Sequence, residues 1–109
     1  MAIKSNLIID QGSDYTVTVE LTDISGNTLV LTDYTGRAQM RKSPTASSYK
    51  EFDISINEDA GTVTLSMDSA YTSGITSGRY MYDVEIVSSA NVVTRVLQGI
   101  VTVSPEITR

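Results

Sequence analysis

Gly78-Arg79-Tyr80-Met81-Tyr82-Asp83-Val84-Glu85-Ile86-Val87, then Ser88-Ser89-Ala90-Asn91, then Val92-Val93-Thr94-Arg95-Val96-Leu97 is the stretch that decides the fold. Apolar and polar residues alternate on both sides of a four-residue polar break. Period two is the signature of a strand with one buried face, and β-branched residues suit that pleated surface. The stretch is therefore read as a hairpin. A two-residue Ser89-Ala90 turn would place Val84 opposite Arg95, a cation in an apolar column. A three-residue Ser89-Ala90-Asn91 loop places Val84 opposite Val96, Ile86 opposite Thr94 and Glu85 opposite Arg95. The second register is favoured because it matches like with like and forms one opposite-charge pair. It requires Asn91 in the left-handed region, which Asn tolerates. Gly99 then marks a bulge, Ile100 to Val103 continue the strand, and Ser104-Pro105 end it.

The same alternation runs backward through the chain. Tyr15, Val17, Val19 and Leu21 alternate with Thr16, Thr18, Glu20 and Thr22. Asp23 to Asn27 is a turn, and Thr28 to Leu31 is a short returning strand. Tyr34 to Lys42 is a longer strand with Ala38 and Met40 inward and Arg37, Gln39 and Arg41 outward. Pro44 lies in a loop. Phe52, Ile54 and Ile56 pair through the Asn57–Gly61 turn with Val63, Leu65 and Met67. Residues 68 to 73 break the pattern as a short helical turn, with Asp68 or Ser69 as its N-cap.

Seven to eight strands at regular spacing, with no long helix, predict an all-β antiparallel sandwich. Tyr80 follows a Gly-bounded connection at the start of a late strand. This placement resembles the tyrosine corner of immunoglobulin-like sandwiches, in which the phenol bonds back to the preceding connection. Tyr80 is the candidate corner residue, and Tyr82 fills the position of the second cysteine. Residues 1–104 are expected to form the domain and 105–109 an extended tail.

Composition narrows the chemistry. The 109 residues include no His, Cys or Trp, and 8 Lys plus Arg against 13 Asp plus Glu give a net charge of −5. Imidazole bases, thiolate nucleophiles, disulfides and the usual zinc and haem ligands are excluded. Ser and Thr supply about a quarter of the chain, yet without His their candidate bases reduce to lysines, and no Gly-x-Ser-x-Gly elbow is present. Asn57, Glu58 and Asp59 lack the spacing of a calcium loop. No catalytic residue, metal ligand or cofactor is assigned, and the chain is expected not to be an enzyme. The acidic balance argues against nucleic acid, since phosphate tracking needs clustered cations. No apolar run reaches membrane-span length, and no signal peptide is recognised. Tyr71, within the helical turn and near a loop, is the candidate interface anchor.

The series Gly78-Arg79-Tyr80-x-Tyr82-Asp83, Arg95-x-x-x-Gly99 and Pro105-Glu106-x-Thr108-Arg109 resembles small virion structural proteins of tailed bacteriophages, cyanobacterial phages in particular. Ile9 to Tyr15 and Gly36 to Arg41 fit the same pattern. The resemblance implies an immunoglobulin-like domain similar to the N-terminal domain of phage baseplate upper proteins. It implies a non-enzymatic role in the tail, baseplate or fibre-attachment region of a virion, after synthesis in a host cytoplasm. The implied partners are other virion proteins in a multi-copy symmetric assembly, with no nucleic acid and no membrane. Capsid or neck decoration is one alternative, and a carbohydrate or host-surface binding module is another. Pro105, Ile107 and Arg109 are the tail's candidate contacts, with Ile107 as its apolar anchor.

Overall fold

The computed structural model describes residues 3–22, 26–27 and 30–108. Its elements in chain order are β1 (Ile3–Lys4), β2 (Leu7–Asp10), β3 (Tyr15–Glu20), β4 (Thr35–Arg41), β5 (Lys50–Glu51), β6 (Asp53–Asn57), β7 (Thr62–Met67), α1 (Ser69–Ser73), β8 (Gly78–Val87) and β9 (Val93–Ser104). They form two sheets. The larger runs β1-β9-β8-β4-β5, with β2 also paired to β9, and the smaller runs β3-β7-β6. This is the expected all-β sandwich with one short helix. No helix among the described residues is long and apolar enough to cross a membrane.

The alternation becomes burial. On β7, Val63, Leu65 and Met67 face the core, and on β8 Tyr80, Tyr82, Val84 and Ile86 do so. Ala38 and Met40 of β4 and Leu97, Val101 and Val103 of β9 complete the layer from the larger sheet. An aromatic chain crosses between the sheets: Phe52 lies 6.4 Å from Tyr15 and 6.0 Å from Tyr82, ring centre to ring centre. Asp68 is the N-cap of α1, and its Oδ1 accepts the Tyr71 N–H at 2.8 Å.

Four expectations change. The sandwich is not wholly antiparallel: β1 and β2 both pair in parallel with β9, as in Leu7 opposite Val101 and Asp10 opposite Ser104. Neither strand is among those the pattern predicts, although Leu7 and Ile9 alternate with Ile8 and Asp10. The expected strand at residues 28–31 is absent where it is described, since Val30 and Leu31 are not in a strand, while Thr28 and Leu29 lie outside the described residues. Of the turn at 23–27, residues 23–25 likewise lie outside them.

The hairpin register is correct on one side of a bulge only. Glu85 faces Arg95 and Ile86 faces Thr94, with Asn91 at φ 64°, as the three-residue loop demands. Val84, however, faces Leu97, so Val96 is the extra residue. Both Val96 and Leu97 are buried, so the inserted residue lets two successive side chains enter the core. Gly99 is therefore not the bulge. It pairs regularly with Tyr82, and a Cβ there would meet the Ser5 carbonyl, 2.9 Å from its carbon and closer to its oxygen. Glycine at 99 lets the N-terminal backbone approach β9.

Candidate interaction surface

The corner is built as the sequence suggests. Tyr80 is buried at the start of β8, and its phenol donates to the Thr76 carbonyl at 2.6 Å. The Lys42 ammonium sits 4.3 Å from the centre of the same ring. Tyr82, two residues on, reaches across Gly99, and its phenol donates to the Ser5 carbonyl at 2.5 Å. It ties the N-terminal strand to β8 across the intervening β9. Burial pushes both phenols above the ordinary tyrosine range. Both residues are structural.

The tail is held further than expected. The Glu106 N–H donates to Gln11 Oε1 at 2.9 Å, and Gln11 Nε2 donates to the Ile75 carbonyl at 2.8 Å. The chain thus stays attached two residues beyond position 104. Pro105 is exposed, and Ile107 is 92% exposed. Arg109 lies outside the described residues. Tyr71 is 40% exposed, but its hydroxyl accepts the Glu51 N–H at 2.9 Å, capping the short edge strand β5. It also lines an open groove with Glu51, Asp53, Met67, Asp68 and Ala70. Among the described residues no three potential metal ligands lie close together.

Another surface was not anticipated. On the outer face of the larger sheet, Met81 (47% exposed) stands opposite Ile100 (38%), and Ile8 (68%) stands opposite Thr102, one diagonal step away. Three large apolar side chains therefore share one solvent face. Exposed Arg79 and Lys4 flank them on the same face. The other half of that face carries ion pairs, Arg37 to Glu85 at 2.7 Å and Arg95 to Asp83 at 3.2 Å. The expected pairing of Glu85 with Arg95 is exchanged: they are opposite in register, but each bonds a different neighbour. The signal for the apolar patch was in the sequence, because Met81 and Ile100 occupy polar positions of their alternations.

No protein-family model matches the chain, and no curated protein matches it. Among solved structures it is similar to the internalin-like protein lmo2027 of Listeria monocytogenes, with a TM-score of 0.51 and 21% sequence identity. The match covers 94% of this chain and 28% of that one, so the chain spans less than a third of the other protein's length. At this identity the likeness concerns the fold alone.

Proposed function

We propose that this chain is a non-enzymatic structural protein of a tailed-bacteriophage virion, placed in the tail, baseplate or fibre-attachment region and acting through contacts with other virion proteins. The observation that carries the contact role is the face formed by Ile8, Met81 and Ile100, three large apolar side chains left in water side by side on the outer face of the larger sheet. An apolar centre with a charged margin is the anatomy of a protein interface. Arg79 and Lys4 at that margin suit a partner whose apolar contact is bordered by carboxylates. The resemblance of the Gly78–Arg109 series supplies the kind of particle.

The test is quantitative mass spectrometry of purified particles carrying either the wild-type chain or Met81→Glu with Ile100→Glu. The wild-type chain is expected at a fixed multi-copy ratio to the tail proteins. The double variant is expected to melt like the wild type and to be missing from particles. A wild-type chain absent from particles refutes the particle assignment. Incorporation of the variant at full level refutes the face, and recovery of the chain on tail-less capsids moves it to a decoration role.

A further inference from the structure

A sandwich has sheet edges, and this one guards them unequally. On β5 the two-residue strand is capped by the Tyr71 hydroxyl. The β1–β2 edge is interrupted at Ser5-Asn6, where the Asn6 side chain accepts the Ile100 N–H at 3.1 Å, and it carries Lys4. β6 begins where the chain crosses from the larger sheet at Phe52, and it opens on Asp53. β3 has none of these devices. It is six unbroken residues, Tyr-Thr-Val-Thr-Val-Glu, without Lys, Pro or bulge, and among the described residues it pairs only with β7. Native edges are normally blunted, so a long unguarded one asks for a partner.

Two further observations point the same way. The inward residues Tyr15, Val17 and Val19 are only half-buried, whereas their β7 partners Met67, Leu65 and Val63 are buried. Ile54 and Ile56 on β6, the other edge of this sheet, are half-buried too, so the shortfall follows the sheet's edges. The outward backbone groups can also be assigned. Leu21 N–H donates to the Gly61 carbonyl at 2.9 Å, which makes the odd-numbered residues of this strand the hydrogen-bonded partners of β7. In an antiparallel ladder such pairs alternate. Thr16, Thr18 and Glu20 therefore aim both N–H and C=O at the open edge.

We propose that β3 pairs antiparallel with β3 of a second copy about a two-fold axis at Thr18, joining two three-stranded sheets into one of six. Thr18 faces Thr18 of the other copy, Thr16 faces Glu20, and Val17 faces Val19. All three outward-aiming residues then meet outward-aiming residues. The axis one residue toward the N-terminus sets Asp14 against Glu20, two carboxylates, and is disfavoured. The threonine column already seen in the Thr18 Oγ1 to Thr64 Oγ1 bond of 2.9 Å continues across the axis. The half-buried Val17, Val19 and Tyr15 gain cover. This pairing is independent of the particle to which the chain belongs, and it uses an edge distinct from the Ile8–Met81–Ile100 face.

The chain has no cysteine, so single-cysteine variants test the register directly. Hydrogen-bonded antiparallel pairs have Cα atoms about 5.5 Å apart, within disulfide reach. Thr18→Cys is expected to form a covalent dimer under mild oxidation at least tenfold faster than Thr16→Cys, whose two copies are offset. In sedimentation, the wild-type chain is expected to dimerise with rising concentration. Thr18→Pro removes no backbone bond to β7, only an outward-aiming N–H and the exposed Thr18–Thr64 hydroxyl bond, and is expected to stay folded by circular dichroism and monomeric. Equal cross-linking of the two cysteine variants overturns the proposal. So does a wild-type chain that stays monomeric at millimolar concentration, or a Thr18→Pro chain that dimerises as well as the wild type.

Discussion

Replacing Gly99 with alanine tests how the N-terminal strand is held. The added methyl would lie 2.9 Å from the Ser5 carbonyl carbon, closer to the oxygen, and 3.1 Å from Asn6 Oδ1. Two of these atoms are backbone, so no rotamer change relieves the overlap. Either β9 or the N-terminal strand must move. If the strand moves, three bonds are strained or lost: Ser5 N–H to the Gln98 carbonyl at 2.9 Å, the Tyr82 phenol to the Ser5 carbonyl at 2.5 Å, and Ile100 N–H to Asn6 Oδ1 at 3.1 Å. At about 1 kcal/mol net for each, the ceiling is about 3 kcal/mol. Overpacking a fitted site independently costs about 1–3 kcal/mol. A loss of about 2–3 kcal/mol is expected, a Tm drop of roughly 10–20 °C for a chain of this size. Gly74→Ala is the control: its Cβ meets nothing nearer than the Tyr71 carbonyl oxygen at 3.6 Å, at φ −87°. That change is expected to stay within about 0.5 kcal/mol. Thermal melts of both variants, with hydrogen exchange at Ser5 and Ile100, decide the matter. If Gly99→Ala melts with Gly74→Ala and keeps those amides protected, the close approach at Gly99 is not what holds the strand.

Tyr80→Phe deletes the phenol donor of the corner and leaves the Thr76 carbonyl without that bond; a loss of about 1–2 kcal/mol in urea unfolding is expected, and an unchanged midpoint would contradict a stabilising corner. Tyr80 and Tyr82 have folded pKa values raised above the ordinary 10.0 by burial. The folded state therefore holds these protons more tightly than the unfolded state, so their contribution is complete below pH 10 and is lost as pH rises through the folded values. Tyr82→Phe should flatten the alkaline limb of the stability–pH curve, and an identical limb would refute the assignment. Arg37→Ala breaks an ion pair whose arginine is 59% exposed; about 0.5 kcal/mol or less, fading in 1 M salt, is expected, and a loss several times larger would show that Arg37 has another role.

Legibility differed from strand to strand. β7 and β8 were readable because every second side chain is apolar and every one of these is buried between the sheets. The corner was readable because one phenol and one carbonyl four residues apart make it, a local device. The Asn91 loop was readable for the same reason. Gly99 was misread because a glycine inside a strand has two meanings, a bulge or a close backbone neighbour. The neighbour, Ser5, lies 94 residues away in sequence. At the bulge two successive apolar residues, Val96 and Leu97, are both buried, which a strict period of two does not provide for. On the outer face Arg95 stays opposite Glu85 in register, but its guanidinium pairs with Asp83 while Glu85 pairs with Arg37.

The candidate surfaces divide in the same way. Tyr71 was picked out as a loop aromatic, and the fold uses its hydroxyl to cap β5. Met81 and Ile100 were visible as apolar residues in polar positions, but nothing in the order of residues says that Ile8 joins them. That contact exists because the first strand pairs in parallel with the last.

Alone, the sequence determined the class of fold, the faces of its strands, the corner at Tyr80 and the absence of imidazole and thiol chemistry. These depend on side-chain type and on periods of a few residues. The tertiary structure decided which sheet receives the N-terminus. By sending β1 and β2 to β9, it built the apolar outer face, and among the described residues β3 pairs on one side only. Strand pairing between distant segments is set by the packing and backbone hydrogen bonding of the whole chain, and local pattern carries no trace of it.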